Sequence, residues 1–250
     1  MTDFDRSAPR TAPAAGADMA LDAGLRGFMI GVYNKVALGL VLSGAIAYLT
    51  SSVPAVRDLL FVVDGAGRLA GVTILGMIVT FAPLVILLGA AFALREPSPR
   101  SAGVLYWSIV SLIGASLGVV VLRYTGQSIT TTFLVTAASF GALSLFGYTT
   151  KRDLGPIGSF LIVGVFGLII ASIVNIFVRS NAMAFVISAA GVLIFAGLIA
   201  YDTQRLKLTY YDLGGDRAAQ GVATSYGALS LYINFINLFQ FLLQFMGQRR

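Results

Sequence analysis

The stretch that decides the fold is Ser225–Gly247, SYGALSLYINFINLFQFLLQFMG. At about 1.5 Å per residue it is long enough to cross a bilayer as a helix. It is not uniformly apolar. Tyr226, Ser230, Asn234, Asn237, Gln240 and Gln244 fall, at about 100° per residue, within an arc of about 120°. An amide facing lipid without a replacement partner costs about 2–7 kcal/mol. The stripe is therefore expected to turn inward, onto other helices or a wet cavity, with the remaining segments arranged around it.

Composition points the same way. Of 250 residues, 57% are hydrophobic and 11% charged, against about 25% charged in an ordinary soluble domain. With several long apolar runs, the chain reads as an integral membrane protein. It has no cysteine and no histidine. Disulfides, thiolate nucleophiles, Ser-His chemistry and His-ligated metals are excluded within the chain. The net charge of +6 fits loop cations near anionic headgroups. Because the basic residues are scattered over many loops, nucleic-acid binding is the weaker reading.

Seven apolar runs follow one another: Phe28–Ser52, Val72–Leu94, Val104–Leu122, Thr130–Tyr148, Ile157–Val178, Met183–Tyr201 and the stretch quoted above. Residues 1–26 carry Asp3, Asp5, Asp18 and Asp22 and no compact apolar core before a cleavage site. They read as a mostly disordered cytoplasmic tail rather than a signal peptide, leaving 27–250 as the membrane domain. Between the first two runs, Asp64-Gly65-Ala66-Gly67 is a turn signal for a short hairpin. Chain order suggests three helical hairpins (one-two, three-four, five-six) and a lone seventh helix.

The distribution of basic residues favours a cytoplasmic N-terminus. That orientation puts Arg6, Arg10, Arg26, Lys35, Arg95, Arg100, Lys151, Arg152, Arg205, Lys207 and Arg217 inside, and Arg57, Arg68, Arg123, Arg179, Arg249 and Arg250 outside, eleven against six. A spanning last segment places the C-terminus outside; a re-entrant one would return Arg249 and Arg250 to the inside.

Gly114-Ala115-Ser116-Leu117-Gly118 matches the G-x-S-x-G pattern of serine hydrolases. It lies within an apolar run, and no histidine exists to activate Ser116. A small-xxx-small packing face explains it better, and no enzymatic mechanism is expected. Asp202, which follows the sixth run, is either an interfacial carboxylate paired with Arg205 or one facing the bundle interior as a cation ligand or titratable gate. Arg95, Arg100 and Lys207 should share its level and could each pair with it. Asn234 and Asn237 are either interhelical hydrogen-bond glue or weak cation ligands. Ca²⁺ takes six to eight oxygens, so at most a transient ion is expected and no resident cofactor.

The segments Ala200-Tyr201-Asp202-Thr203-Gln204, Gly227–Phe239 (GALSLYINFINLF), Gly147–Leu154 (GYTTKRDL) and Val174–Phe177 (VNIF) resemble the Bax inhibitor-1 (transmembrane Bax inhibitor motif) family, and most of all its bacterial inner-membrane members. The resemblance runs from about residue 26 to the end. It implies seven helices, the last in the centre. It also implies a pH-sensitive calcium leak, with cell-death suppression in eukaryotic members and, in some bacterial ones, association with a membrane-bound ATP-dependent protease. In that family's channel scheme, two aspartates share a proton and an arginine ending helix two latches onto one of them. Asp202 matches the first aspartate and Arg95, after Phe92-Ala93-Leu94, the latch. The second aspartate falls on Asn234, where this chain departs.

The departure has a physical consequence. Two close carboxylates titrate as a coupled pair, whereas asparagine cannot ionise. A cation leak through this chain is therefore expected to be weaker and less pH-gated. The rival expectation is a non-conducting regulator that binds another membrane protein.

Overall fold

The computed structural model describes residues 14–65, 67–93 and 96–249. The elements run α1 (Ala14–Ser52), α2 (Pro54–Leu60), β1 (Phe61–Val63), β2 (Leu69–Val72), α3 (Ile74–Ala93), α4 (Pro99–Ser116), α5 (Gly118–Arg123), α6 (Gly126–Thr149), α7 (Gly155–Val178), α8 (Asn181–Asp212) and α9 (Arg217–Met246). Seven helical segments among the described residues are long and apolar enough to cross a membrane, α4 and α5 together forming the third. The protein is an all-α membrane bundle. Its outer surface is apolar: Phe92, Phe160 and Phe177 are each at least three-quarters exposed, a cost in water that lipid removes.

Local chemistry sets the boundaries. Ser98 caps α4 in a reciprocal capping box with Ser101, and Pro99 occupies the first turn, where its missing N–H costs nothing. Ser180 caps α8 by accepting from the Met183 amide. Directly before it, Arg179 closes α7 at φ 54°. Asp216 accepts from the amides of Ala218 and Ala219 to start α9, after a turn in which Gly214 and Gly215 take φ of 54° and 91°.

The hairpin between the first two runs is present. Phe61 pairs with Val72 and Val62 with Gly71, followed by a register shift at Val63. Asp64 closes it, its carboxylate accepting from the Arg68 amide at 2.8 Å. A short helix, α2, precedes it where the sequence reading placed only loop and strand. At the other end, α1 begins at Ala14, inside the stretch read as tail. Alanine-rich sequence with few β-branched residues carries high helix propensity. Leu25 is already part of the core. Residues 1–13 lie outside the described residues.

The hairpin grouping does not hold for all three pairs. Segments five and six (α7, α8) pack as neighbours, but α3 packs on α4, α1 on α4 and α9, and α6 on α8 and α9. The centre is α9, which packs against α1, α4, α6 and α8. Its Leu231, Tyr232, Phe235 and Leu238 are almost fully buried. The Tyr232 hydroxyl meets Ser43 at 2.6 Å, and Ser43 donates to the Val110 carbonyl at 3.0 Å, joining α9, α1 and α4.

The G-x-S-x-G stretch is a packing face. A Cβ at Gly114 would lie 2.8 Å from the Ser43 Cα, and one at Gly118 would lie 2.6 Å from Thr50 Oγ1. The helix also breaks here, α4 ending at Ser116 and α5 starting at Gly118. Ser116 donates to the Ile113 carbonyl of its own helix at 2.8 Å.

The α8–α9 turn shares one face of the bundle with the start of α4, where Pro99 lies against Gly221, and with the α6–α7 connection, tied to α8 through Leu154 and Gln204. The opposite face carries the β-hairpin, the α5–α6 and α7–α8 connections and residues 247–249. There the Thr125 amide donates to the Gln248 carbonyl at 3.1 Å, and Gln248 N to Ser128 Oγ at 2.9 Å. An unbroken α9 that starts at the turn face and is tied down at the other spans the bundle and does not re-enter.

Candidate functional site

The polar stripe of α9 meets α8 at Asp202. The helix does not stop before this residue: α8 continues to Asp212, so Asp202 lies within it. It is only 6% exposed. Its Oδ2 accepts from the Asn234 amide at 2.8 Å and from the Ser230 hydroxyl. Ser230 and Asn234 are one turn apart on α9 and so present their donors to the same carboxylate oxygen. The small Gly227, one turn earlier, lets Leu206 of α8 lie where a side chain would otherwise stand. That close approach is what lets short side chains bridge the two helices.

Of the two readings open for Asp202, the interior one describes its packing. Its other oxygen, Oδ1, faces Arg205 at 3.9 Å, with the Arg205 side chain 57% exposed. An ion pair that long and that wet contributes about 0–1 kcal/mol. The hydrogen bonds to the charged carboxylate contribute more, about 1.5–3 kcal/mol each. Arg205 is thus a loose cap over a carboxylate held from below. Arg95, the expected latch, lies outside the described residues. Lys207 is turned away, donating to the Tyr148 carbonyl at 3.1 Å with its ammonium 5.4 Å from the Tyr148 ring centroid.

The rest of the stripe divides. Asn237 donates to the Ile233 carbonyl of its own helix at 2.9 Å. With Gln240 it lines a cavity of about 590 Å³ between α3, α4, α5 and α9, whose walls include Thr80, Pro83 and Ser116. Gln240 and Gln244 also line a cavity of about 490 Å³ with Ser172, Asn175, Arg123 and Arg249. Gln244, expected to face inward, is exposed, because α9 reaches the bundle's edge there; the Ser188 hydroxyl still donates to its Oε1 at 3.4 Å. The stripe is therefore a carboxylate clamp near the turn face and a cavity lining toward the C-terminal face.

Two polar side chains near the clamp escaped the sequence reading. Gln204 grips the α6–α7 connection, accepting from the Leu154 amide at 2.8 Å and donating to the Arg152 carbonyl at 2.7 Å. The Asp202-Thr203-Gln204 and Gly147–Leu154 segments are thus two halves of one contact. An uncharged amide two residues after the acid, on the same apolar run's end, was the available signal. Lys35 of α1 donates to Ser225 of α9 at 2.6 Å, and its carbonyl accepts from Tyr106.

As a metal ligand set the clamp is thin. Asp202 is its single carboxylate; Ser230 and Asn234 add neutral oxygens, short of the oxygen-rich shell that holds Ca²⁺. No group of three or more acidic, histidine or cysteine side chains placed to hold a metal occurs among the described residues.

The model of the family described as "Inhibitor of apoptosis-promoting Bax1" matches residues 25–250. The chain belongs to the Bax inhibitor-1 family. An uncharacterised protein of Caulobacter vibrioides is 70% identical over 250 residues, all of both chains. Protein RP147 of Rickettsia prowazekii is 41% identical over 241 residues, 96% of this chain and 98% of the relative. The inner membrane protein YbhL of Escherichia coli is 38% identical over 229 residues, 91% of this chain and 94% of the relative. In this Bax inhibitor-1 family member the matched region takes in α8, α9 and the clamp between them.

Proposed function

We propose that the protein gives a slow, passive cation leak, with Ca²⁺ the foremost candidate, held nearly shut by the Asp202–Ser230–Asn234 clamp. The observation that carries this reading is a buried carboxylate facing the polar stripe of the central helix. Asn237 and Gln240 continue that stripe into the 590 Å³ cavity. An ionisable residue inside a membrane bundle is a functional-site candidate by default, ion pathways among the uses. The clamp holds one negative charge, and its partner at the second position cannot titrate. Conductance is low and pH gating weak. Arg205, with Arg95 as a second candidate, closes the mouth on the turn face. The bacterial inner membrane, with the N-terminus cytoplasmic and the C-terminus external, is the setting that the basic-residue count and the E. coli relative support.

Flux of Ca²⁺ into proteoliposomes tests the proposal. Slow protein-dependent flux that falls in Asp202→Asn supports it; no flux from mildly acidic to mildly alkaline pH overturns it. A specific observation favours the second reading, a non-conducting regulator of another membrane protein, such as a membrane-bound ATP-dependent protease. Arg123 and Arg249 line the cavity into which Gln240 and Gln244 project, and two cations at a mouth oppose cation entry.

A further inference from the structure

Where α1 passes α6 on the lipid side, a groove of about 450 Å³ runs between them, lined by Arg26, Met29 and Tyr33 of α1 and Phe140, Ser144 and Tyr148 of α6, among others. Its walls are mostly apolar, and Ser144 stands out among the polar groups that line it. Ser144 is 5% exposed, and among the described residues its hydroxyl is the only buried side-chain polar atom without a hydrogen-bond partner. Serines and threonines in membrane helices satisfy themselves by donating to the carbonyl four residues back. Thr136, Ser172, Ser188, Thr203 and Ser225 all do so here. Ser144 does not, and it borders the groove.

The groove has a polar end and an apolar end. Tyr148 lies one turn, about 6 Å, nearer the turn face than Ser144. Arg26 lines the groove from α1 and is exposed. The Lys207 ammonium sits 5.4 Å from the Tyr148 ring centroid, adding a second cation near this end. Among the described residues that line the groove there is no carboxylate. Deeper in, Tyr33 and Phe140 meet edge to face at 6.2 Å and form an apolar wall. From the membrane surface inward the order is cation, hydroxyl donor, apolar slot. A phospholipid presents phosphate, ester carbonyl and acyl chain in that order, the carbonyl about one helical turn below the phosphate.

We propose that this groove is a binding site for an anionic phospholipid of the phosphatidylglycerol type. The phosphate lies against Arg26 with Lys207 nearby, the Ser144 hydroxyl donates to an ester carbonyl, and one acyl chain lies along Met29 and Phe140. Charge complementarity selects the anionic headgroup, since a zwitterionic one brings its own ammonium to a cationic mouth.

The test uses the full chain in detergent, with thermal unfolding and native mass spectrometry in the presence of phosphatidylglycerol or phosphatidylcholine of identical chains. Phosphatidylglycerol is expected to bind as one retained lipid per chain and to raise the unfolding temperature more than phosphatidylcholine. A Cβ at Gly141, in the groove wall, meets nothing within 4 Å. Gly141→Leu should therefore fold, fill the slot and weaken phosphatidylglycerol binding by about tenfold or more. Ser144→Ala should leave the lipid-free unfolding temperature unchanged or raised, because the hydroxyl has no protein partner, yet reduce the lipid-induced rise. Arg26→Gln should remove the preference between the two lipids. Equal stabilisation by both lipids, a full lipid response in Gly141→Leu, or a response that follows dimer formation (a second copy in the groove) overturns the proposal. If Gly141→Leu does not fold, Ser144→Ala and Arg26→Gln decide it by the same readouts.

Discussion

The Asn234 side-chain amide donates to Asp202 Oδ2 at 2.8 Å, joining the central helix to α8 through a carboxylate that solvent barely reaches. With Ser230 on the same oxygen, this contact is both a structural tie and the closed point of the proposed path. The two roles separate in their response to substitution.

Asp202→Ala strands the buried Asn234 amide and the half-buried Ser230 hydroxyl, at a cost of about 1–3 kcal/mol for a buried group left unsatisfied. Asp202→Asn keeps an acceptor and removes only the charge. The alanine variant is expected to unfold at a clearly lower temperature in detergent than the asparagine variant. Equal losses would show that the hydrogen bonds contribute little beside the charge.

Asn234→Asp places a second carboxylate at hydrogen-bond distance from the first. Two such groups cannot both ionise, and the pair takes up a shared proton as pH falls. Ca²⁺ flux in proteoliposomes should rise and become strongly pH-dependent, and thermal stability should fall at alkaline pH, where the repulsion is fullest. A variant whose flux and pH profile match the parent's would remove the clamp from the permeation path.

Gln204→Ala releases both bonds that pin the α6–α7 connection to α8. Trypsin is expected to cut after Lys151 or Arg152 several-fold faster than in the parent, since cleavage follows local opening. An unchanged digestion pattern would mean that the Lys207–Tyr148 contact alone holds the connection.

Gly114→Leu drives a side chain into the α1 backbone at Ser43, and overpacking of this kind costs about 1–3 kcal/mol or more. The folded yield should drop sharply. Ser116→Ala, on the same stretch, removes only a bond to its own helix and should be neutral in folding and flux.

The chain has no cysteine, so single cysteines report topology without background. Cysteines replacing Gln127 and Gln248 are expected to label from one side of the membrane and one replacing Asp153 from the other, the external side being that of Gln248. Labelling of Gln248→Cys together with Asp153→Cys would contradict a spanning α9.

Much of this architecture was legible in the sequence because a bilayer constrains it so tightly. With no water in the hydrocarbon region, each long apolar run must close its own backbone hydrogen bonds as a helix. The amide stripe on the last run had to face protein for the same reason. Seven spans, a buried α9 and the packing face at Gly114 and Gly118 follow from those constraints, and the AYDTQ and INFIN segments pointed to the family. Which helices become neighbours did not follow. Adjacency in the chain suggested hairpins, but α3 packs on α4 and α6 on α8 and α9, because side-chain fit within a common apolar solvent decides helix association, and single-sequence patterns do not encode it. The same holds for Asp202. Its position after an apolar run allowed either a wet interface or the interior. Only the continuation of α8 to Asp212 and the close passage of α9 at Gly227 bring Ser230 and Asn234 onto one carboxylate oxygen. Residue type determined that the stripe should turn toward protein; tertiary packing decided which of its members hold a carboxylate, which line a cavity and that Gln244 reaches the edge, since hydrogen-bond reach is a matter of a few ångströms between separate helices.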